Sequence, residues 1–166
     1  SKQERLFGGK SHGRSLDVDL HIGVTRDPPY RDPGSDILLR SIVHDTPLGP
    51  IPGPTPEDAI LQATMNLAAA KFFSGRSKLM LDAACYCARF PVAYDVVVER
   101  ALRARAGWAL WALLSLVAER FETHIPTDVL LAIEPSPSRA VLARRLAGVG
   151  CQPRVPTSRP GRVLVE

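Results

Sequence analysis

A chain of 166 residues has room for one ordinary domain with a short additional part. At 45% hydrophobic and 23% charged residues it is too apolar to be wholly disordered. Its longest apolar run, Trp108 to Ala118, falls well short of the roughly eighteen residues a membrane span needs. Lys+Arg 21 against Asp+Glu 17 leaves a net charge of +4, which suits an anionic ligand without demanding one, because the basic residues are scattered. The opening residues, Ser1 to Arg5, do not lead into the apolar core of a secretory signal, so the expectation is a soluble, cytoplasmic protein with no membrane partner.

In chain order, a short lead and a glycine-rich turn precede a predicted strand. In that strand Leu16, Val18, Leu20 and Ile22 alternate with Asp17, Asp19 and His21, the period-two pattern of a strand with one apolar face. Residues 25–56 hold eight of the fifteen prolines (Pro28, Pro29, Pro33, Pro47, Pro50, Pro52, Pro54 and Pro56) and read as mostly extended connection, with one short element at Asp36 to Val43. At Thr55-Pro56-Glu57-Asp58 a helix begins: a capping hydroxyl, a proline suited to the first turn, and two acids that complement the positive end of the dipole. It is predicted to run to about Phe73.

A second helix is expected from about Arg76 to Arg89, ending before Pro91, and a third from about Tyr94 to Arg105. A fourth runs from Trp108 to about Thr123, a short fifth opens at Pro126-Thr127-Asp128, and Ser138 caps a sixth ending at Gly148. The last residues, 151–166, form a Pro/Arg-rich tail with a strand-like Arg162 to Val165. The chain therefore divides into a β region with its proline-rich connection (1–54), a helical domain (55–150) and the tail.

Chemistry concentrates near the start. Asp17 and Asp19, two apart on one strand face, present the oxygen ligands that Mg²⁺ prefers, and paired ions of that kind assist phosphoryl or nucleotidyl transfer. Gly8-Gly9-Lys10-Ser11 can present backbone amides to a phosphate. His21 shares the carboxylate face, whereas His44 and His124 flank loops and read as solvated. Cys85, Cys87 and Cys151 lack the spacing of a zinc site and read as reduced structural thiols. No Gly-x-Ser-x-Gly supports hydrolase chemistry. Trp108, Trp111 and Leu114 read as core. Arg100, Arg103 and Arg105, with Arg144 and Arg145, read as a solvated face, with an RNA-facing edge as the competing reading.

Gly8-Gly9 followed by Asp17-Val18-Asp19-Leu20 resembles the glycine pair and Asp-x-Asp strand of the DNA polymerase beta-like nucleotidyltransferase superfamily, at a shorter gap than is usual there. A second register covers more of the chain. From about Leu16 to Pro137 it resembles the later part of the uncharacterised nucleotidyltransferase family. The matching pieces are Asp19-Leu20-His21, the Pro54-Thr55-Pro56-Glu57-Asp58 helix start, the Arg76, Lys78 and Asp82 pattern, and Ile125-Pro126-Thr127-Asp128-Val129-Leu130. In the first register Asp17 and Asp19 are the paired metal ligands. In the second, Asp19 is the third carboxylate and the first two lie upstream, which would leave this chain short by about one strand–helix–strand unit.

Either register implies an α+β protein with a short N-terminal nucleotidyltransferase-like β portion followed by a C-terminal antiparallel helical bundle. The implied activity is Mg²⁺-dependent transfer of NMP from an NTP to an acceptor hydroxyl. Asp17 and Asp19 would hold the metal, Gly8, Gly9, Lys10 and Ser11 would cradle phosphate, and Arg76 and Lys78 would sit near the nucleotide phosphates. The acceptor is left open among a small molecule, a peptide, a protein and tRNA. The competing class is a non-catalytic helical module that works through a protein partner or self-association; a nucleic-acid-binding domain, which would bind with steep salt dependence, comes third.

Overall fold

The computed structural model describes residues 2–11, 14–22, 30–31, 33–69 and 77–150. The alternating segment forms a strand and finds a partner for its backbone groups in the residues just before it. Strand β1 (Lys2–Ser11) pairs antiparallel with β2 (Arg14–Ile22). Lys2 lies opposite Ile22 and Arg5 opposite Asp19; after an irregularity between Arg5 and Phe7, Gly8 lies opposite Asp17 and Ser11 opposite Arg14. Gly8 and Gly9, expected in a turn, therefore stand inside β1. A lone strand would leave a row of amide and carbonyl groups unpaired, and the preceding residues supply the ladder.

The proline-rich connection is more structured than its composition suggests. The element expected at Asp36 to Val43 divides into a short helix, α1 (Gly34–Leu39), and a strand, β3 (Ile42–Thr46), which pairs with β4 (Gly49–Gly53). Pro50 and Pro52 are accommodated because a two-stranded sheet has only edge strands, where alternate amides point outward. The turn is built from Thr46, whose hydroxyl donates to the Gly49 carbonyl at 2.7 Å and accepts from the Leu48 amide at 3.2 Å. Gly49 has φ +102°, a conformation that favours glycine. His44, expected to be solvated, donates from Nε2 to the Pro54 carbonyl at 3.1 Å and packs over Gly53.

The helices follow as α2 (Pro56–Ala69), α3 (Ser77–Arg89), α4 (Tyr94–Arg103), α5 (Gly107–Phe121), α6 (Thr127–Ala132) and α7 (Pro137–Gly150). The predicted start of α2 is present: Thr55 Oγ1 accepts from the Asp58 amide at 3.2 Å. Apolar on nearly every side, α5 is the central element, and α2, α3, α4, α6 and α7 pack around it. Leu110, Leu113, Leu114 and Val117 are fully buried there against Ile60, Leu61, Met65 and Leu67 of α2 and Val97 of α4. Each such side chain contributes roughly 1.5–3 kcal/mol of burial. Trp111 is buried and Trp108 half-buried in this cluster, as expected. The chain is thus an α+β protein, with paired strands first and a mostly helical region after them. Among the described residues no helix is long and apolar enough to cross a membrane.

Candidate functional site

The residues singled out in the sequence fall on β1, β2 and α3 where they are described. Asp17 and Asp19 are strand positions of β2, opposite Gly8 and Arg5 of β1, and Lys10 and Ser11 close β1 opposite Ser15 and Arg14. Arg76 lies outside the described residues, as does the tail with Cys151. Lys78 opens α3 with its side chain exposed, and its ammonium pairs with Asp82 at 2.8 Å. Asp82 in turn lines a groove of about 600 Å³ between α2 and α3, together with Gln62, Asn66, Cys85, Tyr86 and Arg89. Among the described residues no three His, Cys, Asp or Glu side chains gather as a metal site.

A cluster that sequence reasoning missed stands at the start of α2. Read as a dipole-complementing acid, Asp58 is instead fully buried. Arg40, just after α1, donates from Nε to Oδ2 and from Nη2 to Oδ1, both at 2.9 Å. Arg100 of α4 approaches Oδ1 at 3.0 Å and reaches the Thr55 hydroxyl at 3.4 Å. Asp58 thus holds two guanidinium groups, and its hydrogen bond is the largest influence holding Arg40 above its ordinary pKa. The neighbouring Glu57 takes the Ala93 amide at 3.1 Å, tying the start of α4 to the start of α2.

Of the arginines read as a solvated face, Arg103, Arg105, Arg144 and Arg145 are exposed as expected, and Arg100 departs from that reading. Arg100 turns inward to Asp58, Arg103 pairs with Glu99 on the exposed side, and Arg105 occupies a left-handed turn at φ +58°. Arg100 and Arg103, three apart, are neighbours on α4 and differ in the acid each one reaches, whereas Arg105 lies beyond the end of that helix. The only advance signal for the Asp58 cluster was a second acid at a helix start, which nothing local distinguishes from an exposed one.

Behind Arg40 and Arg100 opens a pocket of about 290 Å³ walled by Arg31, Arg40, Arg100 and Arg103, with Asp36 and Pro33 on the α1 side. Arg31 is fixed in place through its backbone amide, which donates to the Ala104 carbonyl at 3.0 Å. Forked donors held by a buried carboxylate are suited to taking a planar or tetrahedral oxyanion. Compared with known proteins, the chain matches no family model, no curated protein and no solved structure.

Proposed function

We infer that this chain works as a nucleotidyltransferase-like protein, transferring NMP from an NTP to an acceptor hydroxyl in a Mg²⁺-dependent reaction. The observation that carries the reading is the placement of Asp17 and Asp19 two residues apart in a paired strand, followed by the helix start at Thr55 to Asp58. Carboxylates are the hard oxygen donors that Mg²⁺ takes, so the donor set fits the ion. Bound there, Mg²⁺ would offset the charge of the triphosphate. In the reaction the acceptor oxygen bonds to the α-phosphorus, the bond to the bridging oxygen breaks, pyrophosphate leaves, and the hydroxyl proton passes to solvent or a base. Lys78, exposed at the start of α3 and paired with Asp82, would exchange that carboxylate for a phosphate. The acceptor class remains a small molecule, a peptide, a protein or tRNA.

Incubation with radiolabelled NTP and Mg²⁺ tests this. Label transfer that is lost in Asp19→Ala and Asp17→Ala is the expected result, and equal transfer by the variants overturns the assignment.

A second reading, a non-catalytic module that binds a protein partner or a second copy, draws on a separate observation. Leu38, Leu39, Val43 and Leu48, on α1 and the β3–β4 hairpin, are each more than two-thirds exposed. A chain that transfers no label and binds no NTP in the presence of Mg²⁺ would favour it.

A further inference from the structure

We propose that the arginine-walled pocket between α1, α4 and the segment bearing Arg31 is a binding site for a phosphate or diphosphate group, separate from the residues assigned to nucleotidyl transfer. Its walls carry four guanidinium groups, those of Arg31, Arg40, Arg100 and Arg103, and one carboxylate, that of Asp36. The nearby acids Asp58, Glu99 and Glu57 are engaged elsewhere. Asp58 is fully buried and takes Arg40 and Arg100; Glu99 takes Arg103; Glu57 accepts the Ala93 amide. Asp58 and Glu99 orient three of the guanidinium groups, and neither they nor Glu57 lines the pocket.

Orientation matters because a free arginine loses much side-chain entropy when it clamps an anion. Arg40, two-thirds removed from solvent, and Arg100, four-fifths removed, are already fixed by Asp58. Arg40 uses Nε and Nη2 on Asp58, and Arg100 uses Nη1, so each keeps further N–H donors. At about 290 Å³ the space lies at the lower edge of what drug-sized ligands occupy, which matches a phosphate or diphosphate group and not a whole nucleotide. Two sources share that chemistry: a free inorganic anion and the phosphate end of a larger molecule.

Isothermal titration calorimetry on the full chain at low ionic strength, with pyrophosphate, inorganic phosphate and a nucleoside diphosphate as separate probes, tests the site. Saturable binding of pyrophosphate is expected. Arg31→Gln and Arg103→Gln, both exposed and outside the buried pairs, should each weaken it about tenfold, the loss of one charge-assisted contact. Asp36→Asn removes the one carboxylate on the wall and should tighten it. Arg139→Gln, an exposed cation at the start of α7, should leave it unchanged. Equal affinity for pyrophosphate and the nucleoside diphosphate identifies the bare diphosphate as the recognised group, and tighter binding of the nucleotide identifies a phosphate terminus. Absence of binding at millimolar probe, or affinity untouched by both arginine variants, overturns the proposal. Asp19→Ala should not alter this binding, so its outcome is separable from that of the transferase assay.

Discussion

Asp58 and Arg40 meet through two parallel hydrogen bonds of 2.9 Å, with the carboxylate fully buried and the guanidinium two-thirds buried. The pair joins the end of α1 to the first turn of α2, and Arg100 adds α4 to the same carboxylate. Removing one partner of a buried ion pair leaves a charge without compensation, a cost of about 3–5 kcal/mol. Arg40→Ala should fall near the lower end, about 3 kcal/mol, because Arg100 still faces Asp58. The exposed Arg103–Glu99 pair offers the contrast: Arg103→Ala should cost under about 0.5 kcal/mol. Urea unfolding of the two variants measures both, and similar small losses would show that the Asp58 cluster is not a buried pair in solution.

Glu57 gives the start of α2 a dependence on acid. Burial pushes its carboxyl up, but hydrogen bonds from the Ala93 amide and its own amide, the Thr55 hydroxyl and the Arg100 charge together hold it below its ordinary value of 4.5. A carboxyl lowered on folding contributes stability that is present above pH 4.5 and is lost as the pH falls through the lower folded value. Wild type should therefore lose stability below that pH more steeply than Glu57→Gln, with the two curves converging in acid. Urea midpoints measured across the acid range check this, and parallel curves would remove Glu57 from the account.

What the sequence disclosed and what it hid divide along the range of the interactions. The start of α2 was legible because Thr55, Pro56 and Glu57 act on amides within one turn. The Leu16 to Ile22 strand was legible from its period. The β3–β4 hairpin was not, since Pro50 and Pro52 argue against a ladder except at an edge. Nor was the burial of Asp58, whose partner Arg40 lies 18 positions away and becomes a neighbour only once α1 is packed. The candidate metal positions were legible as a motif, but the arginine pocket arises from segments brought together by folding.

Cys87 and Tyr94 make the helical region sensitive to alkali. The Tyr94 hydroxyl is buried without a hydrogen bond of regular geometry; the Cys87 thiol is its polar neighbour, and sulfur is a weak acceptor. Burial pushes the Cys87 thiol above its ordinary value of 9.0, and burial first, then Cys87, pushes the Tyr94 phenol up as well. Acids whose pKa rises on folding contribute stability that is complete below the unfolded value and is lost as pH climbs through the folded one. Unfolding midpoints should be flat from neutral pH up to pH 9.0 and fall above it, with a shallower fall in the Cys87→Ala, Tyr94→Phe double variant. At neutral pH Tyr94→Phe should gain about 1 kcal/mol by removing a poorly satisfied buried hydroxyl. Identical alkaline slopes in wild type and double variant would sink this assignment.

The end of α4 carries strain that one substitution should release. The Ala106 amide reaches back to the Ala101 carbonyl at 2.7 Å and the Arg105 amide to the Leu102 carbonyl at 3.0 Å, the paired bonds of a Schellman cap. That motif places Arg105 at φ +58°, where a Cβ crowds the following carbonyl at a cost of roughly 1 kcal/mol and glycine does not. Against this gain, glycine loosens the unfolded chain, so Arg105→Gly should stabilise the protein by about 0.5 kcal/mol and Arg105→Val should destabilise it. Arg105 is exposed and makes none of the ion pairs around Asp58, so the change reads the backbone alone. Chemical denaturation of the two variants gives the comparison. A loss of stability in Arg105→Gly would mean that the arginine side chain, and not the backbone conformation, dominates at this turn.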